Sequence, residues 1–285
     1  MRPERSLVVR RLLCISPETT RCNQNLKQRN DIITPVMNAS AYLARLGYTD
    51  PAVPSAETLR SLHRAHMQTV LFENLDIGIK RKIVCEAKAS VRKIVEQRRG
   101  GFCYELNGVF AWLLGELGFH VTLLSAREAR QDGGYSPEFD HLTLRVDLAD
   151  PWIADVGFGD TFVEPLRLIP DVDQEQGAEK FRITEQDGDH FQVEGLDSAG
   201  VWKAEYMFSL TPRELSDFSP RCHYHQISPD SHFRQNRICS IATPRGRVTL
   251  SGLRLIVTEN GQREERELTE AEWHAALQKY FGVYL

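Results

Sequence analysis

The sequence predicts an α+β protein in which helices come first and an antiparallel sheet follows. Three observations carry this. From Met37 to Phe119, apolar residues recur at helical spacing. After Gly118 the period changes to two, in short runs separated by turn residues. Near the end, Thr269-Glu-Ala-Glu272 has the form of a capping box ahead of Trp273, Leu277 and Phe281.

Residues 1–36 stand apart. They hold seven basic and three acidic residues, a charge of +4, and the whole chain carries −4, so the remainder carries −8. Periodicity is poor there, and Pro3, Pro17 and Pro35 interrupt it. The expectation is a disordered extension or a mis-assigned start, with Met37 as the working one. Glu4, Glu18 and Asp31 spoil the acid-poor pattern of a mitochondrial presequence, and Arg10 and Arg11 break the only apolar run that resembles a signal peptide.

Residues 37–119 form the helical part. Ser40 to Leu46 is amphipathic and stops at Gly47. Ser55 caps a second helix with Leu59, Leu62, His66 and Val70 on one face. Ser90 opens a run through Val91, Ile94 and Val95. Leu106, Phe110, Leu113 and Leu117 mark the next helix, with Gly118 at its C′ position. In residues 120–210, strands are expected at His120–Ser125, His141–Val146, Trp152–Val156, Phe181–Thr184, His190–Gly195 and Val201–Leu210, in a small barrel or sandwich. Residues 211–285 begin with a polar loop past Pro212. A hairpin of Arg247–Thr258 and Gln262–Leu268 follows, turning at Asn260-Gly261, before the last helix.

Hydrophobic residues make up 41% and charged residues 26%, the balance of an ordinary soluble domain with a sizeable core. The net charge gives no nucleic-acid signal, and no apolar run has the length of a membrane helix. The six cysteines lie at 14, 22, 85, 103, 222 and 239, with no CxxC pair, so reduced thiols in a cytoplasm are expected. Cys85 and Cys239 read as structural thiols. Cys222-His-Tyr-His225 with His232 fits no common zinc spacing and reads as a solvated loop, with no metal expected. His63 and His66 read as partly buried or surface residues of an amphipathic helix. Arg98 and Arg99 are assigned to a salt bridge with Glu105 or Glu73 ahead of a phosphate contact.

Arg99-Gly-Gly-Phe-Cys103-Tyr-Glu-Leu-Asn107 is the most informative stretch. Two glycines permit a sharp turn just before a helix, which leaves Cys103 in the first helical turn. Unpaired amides and the positive helix end lie there; both favour a thiolate and an oxyanion. His141 opens one strand and Asp155 closes the next. A hairpin centred on Leu148 would set them directly opposite, with Cβ atoms about 5 Å apart. Thr143 and Arg145 would share that face. A carboxylate against an imidazole fixes its tautomer and leaves the far nitrogen to take a thiol proton. A structural cysteine and an ordinary cross-strand bond are the plainer readings of the same residues, and a one-residue register slip would undo the pairing.

These residues also carry a resemblance to the arylamine N-acetyltransferases, from Met37 to Leu285. The matching segments are Leu71-Phe-Glu-Asn-Leu-Asp76, Arg99 to Asn107, Asp140-His-Leu-Thr143, Ala154-Asp-Val-Gly-Phe-Gly159 and Pro229-Asp-Ser-His-Phe233. That family usually has Pro before the Phe of the first segment, where this chain has Leu71. The resemblance implies a helical bundle, a central antiparallel β-barrel and a C-terminal α/β lid around a cysteine-protease-like Cys-His-Asp core. The triad falls on Cys103, His141 and Asp155. The reaction implied is ping-pong: Cys103 takes acetyl from acetyl-CoA, a co-substrate with no bound cofactor beside it. An arylamine, arylhydrazine or N-hydroxyarylamine then collects the group. Gly157, Phe158 and Gly159 would border the acyl pocket, and Phe208 and His232 the CoA cleft. Phe102, Tyr104, Phe158 and Phe208 are candidate aromatic walls.

Two other classes compete. A thiol hydrolase or transglutaminase-like enzyme uses the same three side chains with a different second step. A binding protein could keep the fold without turnover, which an intact triad argues against. Neither nucleic acid nor membrane is expected as a partner, and the sequence leaves open the acyl donor, an amide-synthase role and the oligomeric state.

Overall fold

The computed structural model describes residues 37–285. The extension expected over residues 1–36 lies outside them. The helical part comprises α1 (Ala39–Leu46), α2 (Ala56–Thr69), the two-residue strand β1 (Phe72–Glu73), α3 (Leu75–Gly78), α4 (Ala87–Val91) and α5 (Cys103–Glu116). Local chemistry sets the ends. Asn38 Oδ1 accepts the Ala41 amide at 3.1 Å, and Ser55 Oγ accepts that of Thr58 at 3.1 Å. Gly47 closes α1 in the left-handed region at φ 69°. Ser90 does not open its helix. The helix begins at Ala87, and the Ser90 hydroxyl bonds back to the Glu86 carbonyl at 3.2 Å. It then widens into a π-helical turn over Arg92–Glu96.

The barrel strands are β2 (His120–Glu128), β3 (His141–Asp147), β4 (Pro151–Ala154), β5 (Leu166–Arg167), β6 (Gln174–Gln176), β7 (Glu179–Asp187), β8 (His190–Leu196) and β9 (Trp202–Arg213). They pair antiparallel in the order β5-β4-β3-β2-β9-β8-β7-β6. A bridge from Pro170 to Ile183 brings the chain after β5 back to β7, so the sheet curls into a nearly closed barrel and not an open sandwich. Its interior is apolar: Leu124, Ala126, Ile153, Phe162, Ile183, Val193, Tyr206 and Phe208 are all buried.

The segment past Pro212 differs from the expected loop. It forms a 3-10 turn (Leu215–Phe218), α6 (Ser219–Ile227), α7 (His232–Gln235) and β10 (Ile238–Thr243). The buried residues of α6 are Cys222 and His225, which a hydropathy pattern does not mark as a core face. The expected long strand Arg247–Thr258 is two strands, β11 (Gly246–Ser251) and β12 (Arg254–Glu259), because the chain reverses at Gly252, φ 58°. β13 (Gln262–Glu267) follows the Asn260-Gly261 turn, whose two positive φ angles, 50° and 80°, are those of the type I′ hairpin. α8 (Glu270–Phe281) closes the chain; Glu272 Oε2 accepts the Thr269 amide at 2.9 Å, and Trp273 and Leu277 are each 1% exposed. This second sheet has the order β1-β10-β11-β12-β13, so a strand from the helical part heads it.

α5 runs through the largest core. Leu106, Phe110 and Leu113 have no exposure, and Leu142, Leu144 and Val146 of β3 belong to the same cluster. At about 1.5–3 kcal/mol per buried large side chain, this packing fixes α5 against the barrel strand that begins at His141.

Candidate active site

Cys103 is the first residue of α5, with Phe102 as its N-cap. The two glycines before it are sterically required. A Cβ on Gly100 would lie 2.0 Å from the Leu71 carbonyl oxygen, and one on Gly101 would lie 2.7 Å from Glu105 Cβ. That closeness allows the Gly101 amide to bond the Leu71 carbonyl at 3.2 Å, and the Glu73 amide to bond the Gly101 carbonyl at 2.8 Å. The Glu105 carboxylate accepts the Phe102 amide at 3.2 Å. The amides of Cys103 and Tyr104 retain no intrahelical partner, as the first turn of any helix requires.

Behind this turn lies a buried ionic cluster. Lys93 Nζ sits 2.9 Å from Glu105 Oε1 and 3.1 Å from Asp76 Oδ2, and Arg99 Nη2 sits 2.8 Å from Glu73 Oε1. Arg99 is thus held by Glu73, with Asp76 at 3.2 Å. Burial pushes the Glu105 carboxyl up to about 7 against the pull of Lys93. A cavity of about 400 Å³ opens on this cluster, lined in part by Arg81, Lys93 and Glu105.

His141 Nε2 lies 2.6 Å from Asp155 Oδ2, and both side chains are buried. The strands between them are not in the expected register. Leu144 pairs with Ala154 and Asp147 with Pro151, so the hairpin is centred on Ala149 and not on Leu148. The difference moves each partner by two positions, which preserves the face, so the two side chains meet diagonally instead of directly opposite. β4 ends at Ala154, and Asp155 sits in the bend beyond it.

Asp155 is then fixed from three sides. Its Oδ1 accepts Asn107 Nδ2 at 2.8 Å and the Gly157 amide at 3.0 Å. Its own amide donates to His63 Nε2 at 3.0 Å, while His63 Nδ1 faces the Val163 carbonyl at 2.9 Å. Asn107, one turn after Cys103 on α5, also donates to the Leu142 carbonyl at 2.6 Å and accepts the Val156 amide at 2.9 Å. One amide side chain therefore ties the helix of Cys103 to the strand of His141 and the bend of Asp155.

Electrostatics divide the three groups. Burial pushes the Asp155 carboxyl up, but the charge of His141 and the hydrogen bonds of His141, Asn107 and Gly157 outweigh it and hold the group below its ordinary value. Burial pulls His141 down, yet Asp155 first, then Glu128 and Asp140, leave the imidazole more basic than usual. Cys103 departs from expectation. It is 2% exposed, and burial, followed by the charges of Glu128, Asp155 and Asp140, lifts its thiol well above the ordinary value; the Leu142 amide, bonding to the sulfur, opposes this. The helix end alone therefore does not yield a free thiolate. Moving the proton onto a basic imidazole keeps the buried pair neutral overall, the form of charge separation that such a site tolerates.

The remaining predicted residues divide by location. A Cβ on Gly157 would lie 2.8 Å from Cys103 Cα, so that glycine lets the bend touch the helix end. Phe158 packs edge-on against the His141 ring, with centroids 5.1 Å apart. Gly159 takes φ 96°, beside Phe72. Phe102 is buried among Tyr104, His225 and Phe233. Phe208 is buried in the barrel, stacked on Phe191 at 5.8 Å. His232 is the exposed first residue of α7.

Three further expectations change. His63 and His66 are completely buried, not partly exposed. Arg145 turns to Asp147, 2.7 Å away, instead of joining the His141 group. The Cys222 to His225 stretch is helical, and His225 lies 3.0 Å from both Asp140 Oδ1 and Ser231 Oγ. No group of three potential metal ligands occurs among the described residues, and none of their helices is long and apolar enough to cross a membrane. Sequence reasoning gave Asn107 and His63 no site role. The available signal was a polar side chain at a helix position whose neighbours one turn away are apolar.

The N-acetyltransferase family model matches residues 55–285. An arylamine N-acetyltransferase of Escherichia coli K12 is 35% identical over 256 residues, covering 88% of this chain and 90% of that protein. The solved structure of the Mycobacterium smegmatis arylamine N-acetyltransferase superposes with a TM-score of 0.81 at 32% identity, covering 88% of this chain and 93% of that one. That of Mycobacterium marinum, determined in complex with CoA, gives 0.80 at 30% identity, covering 86% and 93%. Matched over nearly all its described length in both sequence and fold, the chain belongs to the arylamine N-acetyltransferase family and is an acetyltransferase enzyme.

Proposed function

We propose that the chain transfers acetyl from acetyl-CoA to an aromatic amine, hydrazine or N-hydroxyarylamine through a thioester on Cys103. The observation that carries this is the 2.6 Å contact of His141 Nε2 with Asp155, a pair that Asn107 ties to the helix beginning at Cys103. The carboxylate selects the tautomer with the proton on Nε2, which leaves Nδ1 as the base.

In the first half-reaction, Nδ1 takes the thiol proton as sulfur attacks the acetyl carbonyl. The amides at the start of α5 face the developing oxyanion. Collapse breaks the bond to the CoA sulfur, which leaves with the proton from His141. In the second, the amine nitrogen attacks the acetyl-Cys103 carbonyl and gives its proton to Nδ1. The C–S bond breaks, and His141 reprotonates Cys103. A neutral aromatic amine needs no second activated nucleophile, so this one base serves both halves. The CoA complex of the Mycobacterium marinum relative supports the donor.

The test is release of free CoA from acetyl-CoA in the presence of a neutral arylamine such as 4-methoxyaniline, or of a hydrazine. An acetyl adduct on Cys103 is expected by mass spectrometry, and neither adduct nor turnover in Cys103→Ala. Substantial turnover by the alanine variant would end the proposal.

A further inference from the structure

One carboxylate beside the reacting groups has no part in that scheme. On β2, alternation sends Leu124, Ala126 and Glu128 to one face. Ala126 pairs with His141 on one side and Phe208 on the other, and Glu128 pairs with Tyr206. This is the barrel's inner face, where Leu124, Ala126, Val193, Tyr206 and Phe208 are 0–1% exposed. Glu128 thus occupies a position whose neighbours along and across the sheet are apolar, and its side chain is half-buried.

Its neighbourhood is the candidate acyl pocket. The Tyr206 ring, opposite Glu128, lies 5.2 Å from the His141 ring and 5.1 Å from that of Phe158. Glu128 is the foremost charge acting on the Cys103 thiol and adds to the basicity of His141. Burial pushes the Glu128 carboxyl up, and the charge of His141 foremost, then those of His225 and Arg221, pulls it back; among the described residues its carboxylate makes no hydrogen bond or ion pair, although its backbone is pinned to Ser136 at 2.8 and 2.9 Å. The nearby cation Arg221 is committed to Asp140, as is His225. Its oxygens are not among the buried side-chain atoms left without a partner, so the carboxylate is open to solvent and to a ligand entering the pocket.

Resting on the acetyl-transfer reading, we infer that Glu128 is a specificity-determining residue: its carboxylate favours acceptor amines that bring a positive charge or additional N–H donors, hydrazines among them, and turns away arylamines that carry a carboxylate. Attraction and repulsion both come from the one carboxylate, so removing it should relax both preferences together.

The test uses the full chain, acetyl-CoA and three para-substituted anilines of similar size: 4-aminobenzoate (anionic), 4-methoxyaniline (neutral) and 4-(2-aminoethyl)aniline (cationic). The wild type should give kcat/KM values rising in that order. In Glu128→Gln the cationic-to-anionic ratio should fall by about tenfold, the change expected for one charge pair in a partly solvated site. A wild type that uses 4-aminobenzoate as well as the cationic aniline overturns the inference without any variant. So does a ratio that moves by less than about twofold in Glu128→Gln. The acetyl-Cys103 adduct is measured alongside. Its absence from the wild type sinks the acetyl-transfer reading and this inference with it. An adduct with unchanged ratios sinks the Glu128 assignment alone.

Discussion

Replacing Asn107 with Leu, nearly equal in size, tests how much of the site one buried amide holds together. Its side chain makes three buried hydrogen bonds: 2.8 Å to Asp155 Oδ1, 2.6 Å to the Leu142 carbonyl and 2.9 Å from the Val156 amide. Losing a bond to an ionised carboxylate costs about 1.5–3 kcal/mol, and stranding the buried Val156 N–H costs about 1–3 kcal/mol. The Leu142 carbonyl adds less, since a carbonyl oxygen tolerates one missing partner. The sum is roughly 3–5 kcal/mol, a large part of the stability of an ordinary domain. Scanning calorimetry at pH 7 should then show Tm lower by about 6–20 °C, at 2–4 °C per kcal/mol for a chain of this size. The Asp155 carboxyl loses a donor but keeps the Gly157 amide and His141. Turnover below Tm should therefore fall by about tenfold to a hundredfold through misplacement, without vanishing. A Tm drop under about 3 °C would show that this network does not carry the energy assigned to it.

Other expectations follow from the same geometry. Gly157→Ala puts a Cβ 2.7 Å from Asn107 Nδ2 and 2.8 Å from Cys103 Cα, so kcat/KM should fall at least about tenfold, with about 1–3 kcal/mol lost in urea unfolding; normal turnover would mean that the bend yields freely. His63→Phe keeps a ring but leaves the Asp155 amide and the Val163 carbonyl unpaired. It should destabilise by about 2–4 kcal/mol and slow alkylation of Cys103 by iodoacetamide, and an unchanged alkylation rate would place Asp155 under other control. Glu205, pushed up to about 7 by burial and by the charges of Asp160 and Glu179, binds its proton more tightly folded than unfolded. Its contribution is present below about pH 4.5 and lost as pH rises towards 7, a fall of up to about 3 kcal/mol. Glu205→Gln should therefore gain stability over the wild type between those limits, and parallel stability–pH curves for the two proteins would contradict this.

The long helices of the first half and the six longer barrel strands were legible because their cores are written in ordinary hydrophobic residues at clear spacing, whereas the short α3, β5 and β6 were not foreseen. Leu106, Phe110 and Leu113 mark α5, and Leu142, Leu144 and Val146 mark β3. Thr269 and Ser55 announced their helices through caps that depend only on local sequence. What stayed hidden was structure whose reason is distant. β1 is two residues long and exists because β10 pairs with it. α6 buries Cys222 and His225, and His225 finds Tyr104, Phe102 and Asp140 only in three dimensions. The His141–Asp155 contact was foreseeable from strand parity, whereas the register itself was not, since a shift of two residues changes no face. The burial that raises the Cys103 thiol was invisible, because a motif gives a helix position and says nothing of the solvent left around it.

The pairing of Phe72 with Ser240, and of Glu73 with Cys239, ties a segment in the first third of the chain to one made near its end. Glu73 also holds Arg99 and bonds to Gly101 within the turn that delivers Cys103. On the ribosome, the helices and barrel strands emerge long before residue 240, so the nascent chain exposes an unpaired edge at Phe72 and an incompletely braced glycine turn until β10 has been made. The platform under Cys103 is thereby completed last, and a product broken off before β10 leaves that cysteine on a half-built one.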